Sequence, residues 1–201
     1  MRKRDLMETL AEEIRICRKC GLWRQRKNAV HGEGNLDAAV MLIGEAPGYW
    51  EDLKGRPFVG AAGKILDEML LKAGISRNDV YITNVVKCRP PENRDPLPNE
   101  IETCTPYLNH QIRIIKPKFV VTLGRHAASY ILARAGFETE GITKIHGRAR
   151  ARRRVYESNL LGFEVFIVPM YHPAAALYNA KYRDELDKDF RLLKLELERL
   201  G

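Results

Sequence analysis

Several things are scarce in these 201 residues, and each scarcity narrows the reading. No apolar run approaches the roughly 20 residues a membrane-crossing helix needs. The first residues, "MRKRDLMETLAEE", run basic and then acidic with no apolar stretch behind them, which is not the pattern of a secretory signal. There are no internal repeats and no low-complexity linker. Cysteine is rare, with four in the chain. Only one close pair exists, Cys17 and Cys20, and neither a second pair nor two histidines follow it as a zinc ribbon or finger requires. In a cytoplasmic chain, the expected setting here, thiols stay reduced and four of them point to metal before disulfides.

What is present is a globular composition, 45% hydrophobic and 30% charged, long enough to bury one core. One domain is expected over residues 1–201, with segment 1–38 preceding the first strand and carrying two of the four cysteines on a helix. The net charge is +8, and the stretch 146–155, "HGRARARRRV", holds five arginines and no acid. Such an arm suits phosphate oxygens, although a solvated loop accounts for it equally well.

Apolar periods alternate between two kinds. Short buried runs at 39–43, 79–86, 118–124 and 163–173 read as strands. Helical spacing at 59–74, 99–117, 125–136 and 182–200 reads as the helices between and after them. The order strand–helix repeated four times predicts an α/β fold, a three-layer α/β/α sandwich around a central four-stranded parallel sheet. In such sheets ligands bind beyond the carboxyl ends of the strands. The segments there are "GEAPG" (44–48), "TNVVKCRPP" (83–91), "GRHA" (124–127) and "YHPAA" (171–175).

The loop 43–63 is rich in glycine but matches neither a dinucleotide-binding nor a Walker pattern. Between Cys20 and Cys88 lie 67 residues, and between Cys88 and Cys104 lie 15. Four thiolates suit zinc or a [4Fe–4S] cluster, and spacing does not separate the two.

Taken together, "GEAPG" with "ED" close behind, "GRPFVGAAG" (55–63), "TNVVKCRPP", "LG" (123–124), "HG" (146–147) and "YHPAA" resemble the uracil-DNA glycosylase superfamily, in particular its iron–sulfur class, family 4. The resemblance covers about residues 12–195. It implies a [4Fe–4S] cluster on Cys17, Cys20, Cys88 and Cys104. It implies a monofunctional hydrolase that flips uracil out of DNA and cleaves its N-glycosidic bond, in repair of deaminated cytosine. Phe58 is then the residue stacked on uracil and Asn84 the reader of its edge. An amide offers the donor and acceptor that uracil's N3–H and O4 require. His172 is expected beside uracil O2, with Glu45 as the second catalytic candidate, placing water or balancing the cationic sugar. Gly44, Glu45, Ala46 and Glu51 fall in the first motif, with Glu51 by uracil C5. Ala46 stands where the best-known uracil glycosylases carry an aspartate.

Tyr49 and Trp50 are bulkier than the pair often found there, and their role is open. Phosphate contacts are expected from amides after Gly60 and Pro173, from Arg89 and Arg94, and from the 148–154 arginines. His31, His110, His126 and His146 are expected to be surface or structural. The implied partner is uracil-containing DNA, single- or double-stranded, with the chain a monomer and no membrane involved. A sliding clamp is a partner candidate that no residue pattern identifies. Two rivals stand beside this reading: a non-catalytic nucleic-acid-binding module with a structural metal, and a mismatch glycosylase of broader choice.

Overall fold

A computed structural model describes residues 2–138, 156–160 and 162–200. The arginine-rich stretch 146–155, with His146, lies outside them. Six strands form one sheet: β1 (Glu33–Gly34), β2 (Val40–Gly44), β3 (Tyr81–Asn84), β4 (Phe119–Leu123), β5 (Tyr156–Leu160) and β6 (Phe163–Met170), in spatial order β1-β3-β2-β4-β6-β5. The four central strands are parallel, as the alternation predicted. Two antiparallel strands are added at the edges, β1 on β3 and β5 on β6. They escape the periodicity argument because β1 spans two residues and β5 is the polar half of a hairpin.

The helices are α1 (Lys3–Ile16), α2 (Tyr49–Lys54), α3 (Ala61–Lys72), α4 (Pro98–Ile115), α5 (Arg125–Arg134), α6 (Ala175–Tyr178) and α7 (Ala180–Leu200). Strand side chains alternate between faces, which sorts them between two cores. Met41, Ile43, Val120 and Ile167 pack with residues of α1, α4 and α5. Val40, Leu42, Val121 and Val168 pack with α3 and α7. Burial on both faces explains why these strands read as continuous apolar runs.

The N-terminal helix stops one residue short of its expected cargo. Cys17 caps α1 and Cys20 precedes a short 3-10 turn, Gly21–Arg24, so both cysteines sit beyond the helix rather than on it. Helix α4 carries Cys104 and, two residues on, Pro106. Proline has no N–H to give the carbonyl four residues back. Here that carbonyl, of Glu102, accepts from the Thr105 hydroxyl at 3.3 Å.

Candidate active site and thiol cage

The carboxyl ends of β2 and β3 are stitched together before the site begins. Val85 N–H donates to the Gly44 carbonyl at 2.9 Å and Val86 N–H to the Glu45 carbonyl at 3.0 Å. This sets the first and second motifs side by side. The space above them is a cavity of about 330 Å3, lined among others by Glu45, Ala46, Glu51, Phe58, Asn84 and His172. Six of the seven residues expected to meet the base therefore converge. The seventh, Gly44, lies beneath. A Cβ there would stand 2.4 Å from Asn84 Oδ1 and 2.7 Å from the Phe58 ring, so glycine is what lets those two side chains approach each other.

Phe58 is buried and holds a left-handed backbone, φ +49°. A non-glycine residue there is strained by about 1–3 kcal/mol and persists only when its surroundings impose it. The surroundings are visible. Gly63 crosses so close that a Cβ would come within 1.9 Å of the Phe58 carbonyl oxygen. Arg77 donates to the carbonyls of Pro57 (2.8 Å) and Phe58 (3.3 Å). The guanidinium is itself held by Asp67 at 2.6 Å and Glu33 at 3.1 Å. Arg77 is a positioning residue that the sequence did not signal, lying 19 residues from Phe58 in an ordinary polar turn.

Glu51 takes a more structural part than expected. Its Oε1 accepts from the N–H groups of Val59 and Gly60, both at 2.8 Å, so the carboxylate closes the N-terminal end of α3. An anion is favoured at that position. These two amides are thereby occupied from within the chain. So is the amide after Pro173, because Ala174 N–H donates to His172 Nδ1 at 3.1 Å. At Ala174 an internal partner thus replaces the phosphate contact expected after Pro173. Arg94 is likewise engaged, donating to both Glu100 oxygens at 2.9 and 2.7 Å.

The bond from Ala174 decides the tautomer of His172. Nδ1 accepts, so the ring proton resides on Nε2. Burial pushes the pKa of this histidine down to about 4, against a smaller opposing pull from Glu51. The imidazole is therefore neutral at pH 7 and still a donor. Its ring is stacked near Phe58, with centroids 5.7 Å apart. Gly124 shapes its seat: at φ +94°, a Cβ would stand 3.0 Å from that of His172.

Glu45 stands at the lip of the cavity beside residues that were not among the expected site residues. His126 Nε2 lies 3.8 Å from Glu45 Oε2 and 3.2 Å from Asp95 Oδ2. Arg125 pairs with Asp95 at 2.5 Å. His126, expected to be surface or structural, is thus placed beside Glu45 and Asp95. It opens α5 directly after β4, at the strand end where ligands bind, and that position was the signal for it. Burial raises the Glu45 pKa above the ordinary glutamate value; Asp95 adds to the rise, and His126 and Arg125 oppose it.

Behind the cavity, all four cysteines line one small pocket, with Trp23, Arg26, Lys87 and Tyr107. All four are free thiols, and Cys88 and Cys104 are buried. Burial holds the Cys88 thiol above its ordinary pKa and pushes Cys104 up to about 12. Two N–H donors already face the sulfurs: Arg26 Nη1 to Cys88 Sγ at 3.0 Å, and Lys87 N to Cys104 Sγ at 3.2 Å. Buried thiols with donors turned toward them fit a cationic metal centre that binds them as thiolates. Lys87 joins this cage to the cavity. Its buried amino group, whose pKa burial lowers to about 7, donates to Thr83 Oγ1 (2.7 Å), Gln111 Oε1 (2.7 Å) and the Asn84 carbonyl (2.6 Å).

A cavity at the strand ends large enough to admit a nucleobase, with a neutral histidine, an amide and an aromatic ring around it, fits a base-recognising enzyme of the α/β class. Comparison with known proteins gives the family. The model described as "Uracil DNA glycosylase superfamily" matches residues 31–194. The chain is 50% identical over 191 residues to a Type-4 uracil-DNA glycosylase of Saccharolobus solfataricus, covering 94% of this chain and 86% of the relative. It is 48% identical over 187 residues to that of Archaeoglobus fulgidus, covering 93% and 91%. With the Type-4 enzyme of Thermotoga maritima it shares 43% over 177 residues, covering 88% and 86%. The chain belongs to the uracil-DNA glycosylase superfamily, and its similarity runs to the Type-4 members. No helix among the described residues is long and apolar enough to cross a membrane.

Proposed function

We infer that this chain is a uracil-DNA glycosylase that takes uracil out of the DNA stack and hydrolyses its N-glycosidic bond. The products are free uracil and an abasic deoxyribose. One observation carries the assignment of roles: the neutral, Nε2-protonated His172 lines the same cavity as Asn84 and the strained Phe58. Extrusion gives an enzyme access to a base that the duplex hides. Phe58 offers the extruded ring a face, and the Asn84 amide pairs with uracil's N3–H and O4, a pattern cytosine reverses.

Bond cleavage moves negative charge onto the base and positive charge onto the sugar. A neutral N–H at uracil O2 stabilises the anion where it develops, without the loss of a proton from the enzyme. This is the role of His172. Glu45, partly buried at the lip, faces the positive side of that charge separation and orients the water whose oxygen joins the sugar. Ala46 supplies no carboxylate, so the work falls to its neighbour. The aspartate of the best-known uracil glycosylases is absent, and among the described residues no lysine lines the cavity, which supports hydrolysis without strand cleavage.

Cys17, Cys20, Cys88 and Cys104 would hold a [4Fe–4S] cluster. Bound there, it would supply a tie between the N-terminal segment, the loop after β3 and α4; the hydrolysis itself needs no electron transfer. The chain would act in repair of deaminated cytosine.

The test is uracil release from an oligonucleotide beside an identical one carrying thymine, with wild type, His172→Ala and Asn84→Ala. Release from the uracil strand alone, reduced in both variants, is the expected result. Equal release in the variants would overturn the assigned roles, and none from wild type would overturn the function.

A further inference from the structure

We propose that Tyr49 and Trp50 form a stacking platform for unpaired bases of the DNA strand that carries the uracil. The inference rests on the glycosylase reading and adds to it a second contact surface outside the cavity.

Both rings are open to solvent, Tyr49 at 48% and Trp50 at 51% exposure. They meet edge to face, with centroids 5.2 Å apart and planes 83° to each other, and about half of each residue's surface stays open to solvent. A cation accompanies each ring. The Arg89 guanidinium lies 5.2 Å from the Tyr49 centroid and the Lys54 ammonium 6.0 Å from that of Trp50. Aromatic faces interleaved with cations are the chemistry that binds single-stranded nucleic acid: the rings take bases and the cations take phosphates.

The exposure of these rings is not a loose end of a mobile turn, because α2 is fastened by polar bonds on its other sides. The buried Asp52 accepts from the N–H groups of Lys27 (2.9 Å) and Asn28 (3.2 Å). The Asn28 amide donates in return to the carbonyls of Asp52 (2.8 Å) and Leu53 (3.2 Å). Glu51 is tied to the start of α3. A helix of six residues is thus held rigidly while two large aromatics project from it. Ordering them beforehand lowers the entropy lost when a base docks.

The platform adjoins the cavity. Gly48 and Glu51, which flank the pair in sequence, both line it, as does Pro90, next to Arg89. Extrusion of one nucleotide uncovers the base faces of its neighbours in the same strand. Those faces lose stacking that a ring on the same short helix as Glu51 can replace. A duplex without an extruded base offers no such face.

The test measures binding of a uracil-free single-stranded oligonucleotide and of the same sequence as duplex. The proteins are wild type, Tyr49→Ala, Trp50→Ala, the double variant and Trp50→Phe. Uracil release from a single-stranded substrate is followed in parallel. Loss of a base–ring stack should weaken single-strand binding by about tenfold or more for Trp50→Ala. The duplex should be affected less, and Trp50→Phe should retain most of the affinity. KM for release should rise in the alanine variants while kcat at saturation stays near wild type. Tryptophan emission quenched by the single strand in wild type should be quenched less in Trp50→Phe. A double variant that binds single strands like wild type would overturn the platform, as would equal weakening on both forms of DNA. If wild type released no uracil while the single-strand loss persisted, the platform would stand and the glycosylase reading would fall.

Discussion

The main-chain N–H of Ala174 donates to Nδ1 of His172 across 3.1 Å. One bond from the loop after β6 thus determines where the ring proton sits, and burial keeps the ring uncharged. A neutral donor stabilises a developing anion most when it need not give up its proton.

Replacement of His172 by alanine should lower uracil release by about 100- to 1,000-fold, the usual cost of losing one donor to a developing anion. Because the folded pKa is depressed to about 4, His172 stays neutral as pH falls from 8 and protonates only on approach to that value. Single-turnover rates between pH 4 and 8 should show no titration near the ordinary histidine value.

The acid limb of that profile should belong to Glu45. Its pKa is raised, chiefly by burial, so as pH falls it takes up its proton before His172 does. The carboxylate is the active form, and the rate therefore drops with pH. Glu45→Gln should lower and flatten the limb. Asp95→Asn removes an anion and should move the limb to lower pH; His126→Ala removes an opposing influence and should move it higher. Movement of the two in the same direction would contradict the geometry.

Gly44→Ala should disable the cavity. The added carbon would overlap Asn84 Oδ1 and the Phe58 ring and push both toward the cavity they line. Thermal denaturation should report a loss of about 1–3 kcal/mol, as for other overpacked sites. Uracil binding should fall with it.

Arg77→Met should free the carbonyls of Pro57 and Phe58 and relax the strained φ of Phe58. The measurement is KM for uracil-containing DNA, expected to rise about tenfold. A crystal structure of the variant should show the residue leaving the left-handed region.

Lys87→Met should cost about 1–3 kcal/mol, because the buried Gln111, Thr83 and Asn84 acceptors lose a donor. It should also lower kcat/KM through Asn84. Cys104→Ser should reduce bound iron and lower the melting temperature, read by metal analysis and calorimetry. Zinc at one equivalent in wild type, without iron, would replace the cluster assignment.

Much of the architecture was legible before any coordinates. Strands such as Val40–Gly44 and Phe119–Leu123 are apolar throughout because helices cover both faces, and their carboxyl ends point to the site. Helix α2 was hidden, since Tyr49–Lys54 follows glycine and proline and has too few residues to show a period. His126 was passed over for want of a recognisable motif. Asp95, its partner, sits in a loop where acids are commonplace.

By itself the sequence determined the order of the four central strands and the long helices between them, six of the cavity-lining residues and the four thiols, because each follows from local pattern or short motif. Only the tertiary structure decided which atoms those residues use. It turned Glu51 toward the amides of α3, set the proton of His172 on Nε2, and brought Asp95 and His126 to Glu45. It also ran Lys87 from the thiol cage to the Asn84 carbonyl. These are pairings between segments far apart in the chain. Hydrogen-bond direction and charge depend on where the backbone places each partner, and no one-dimensional spacing encodes that.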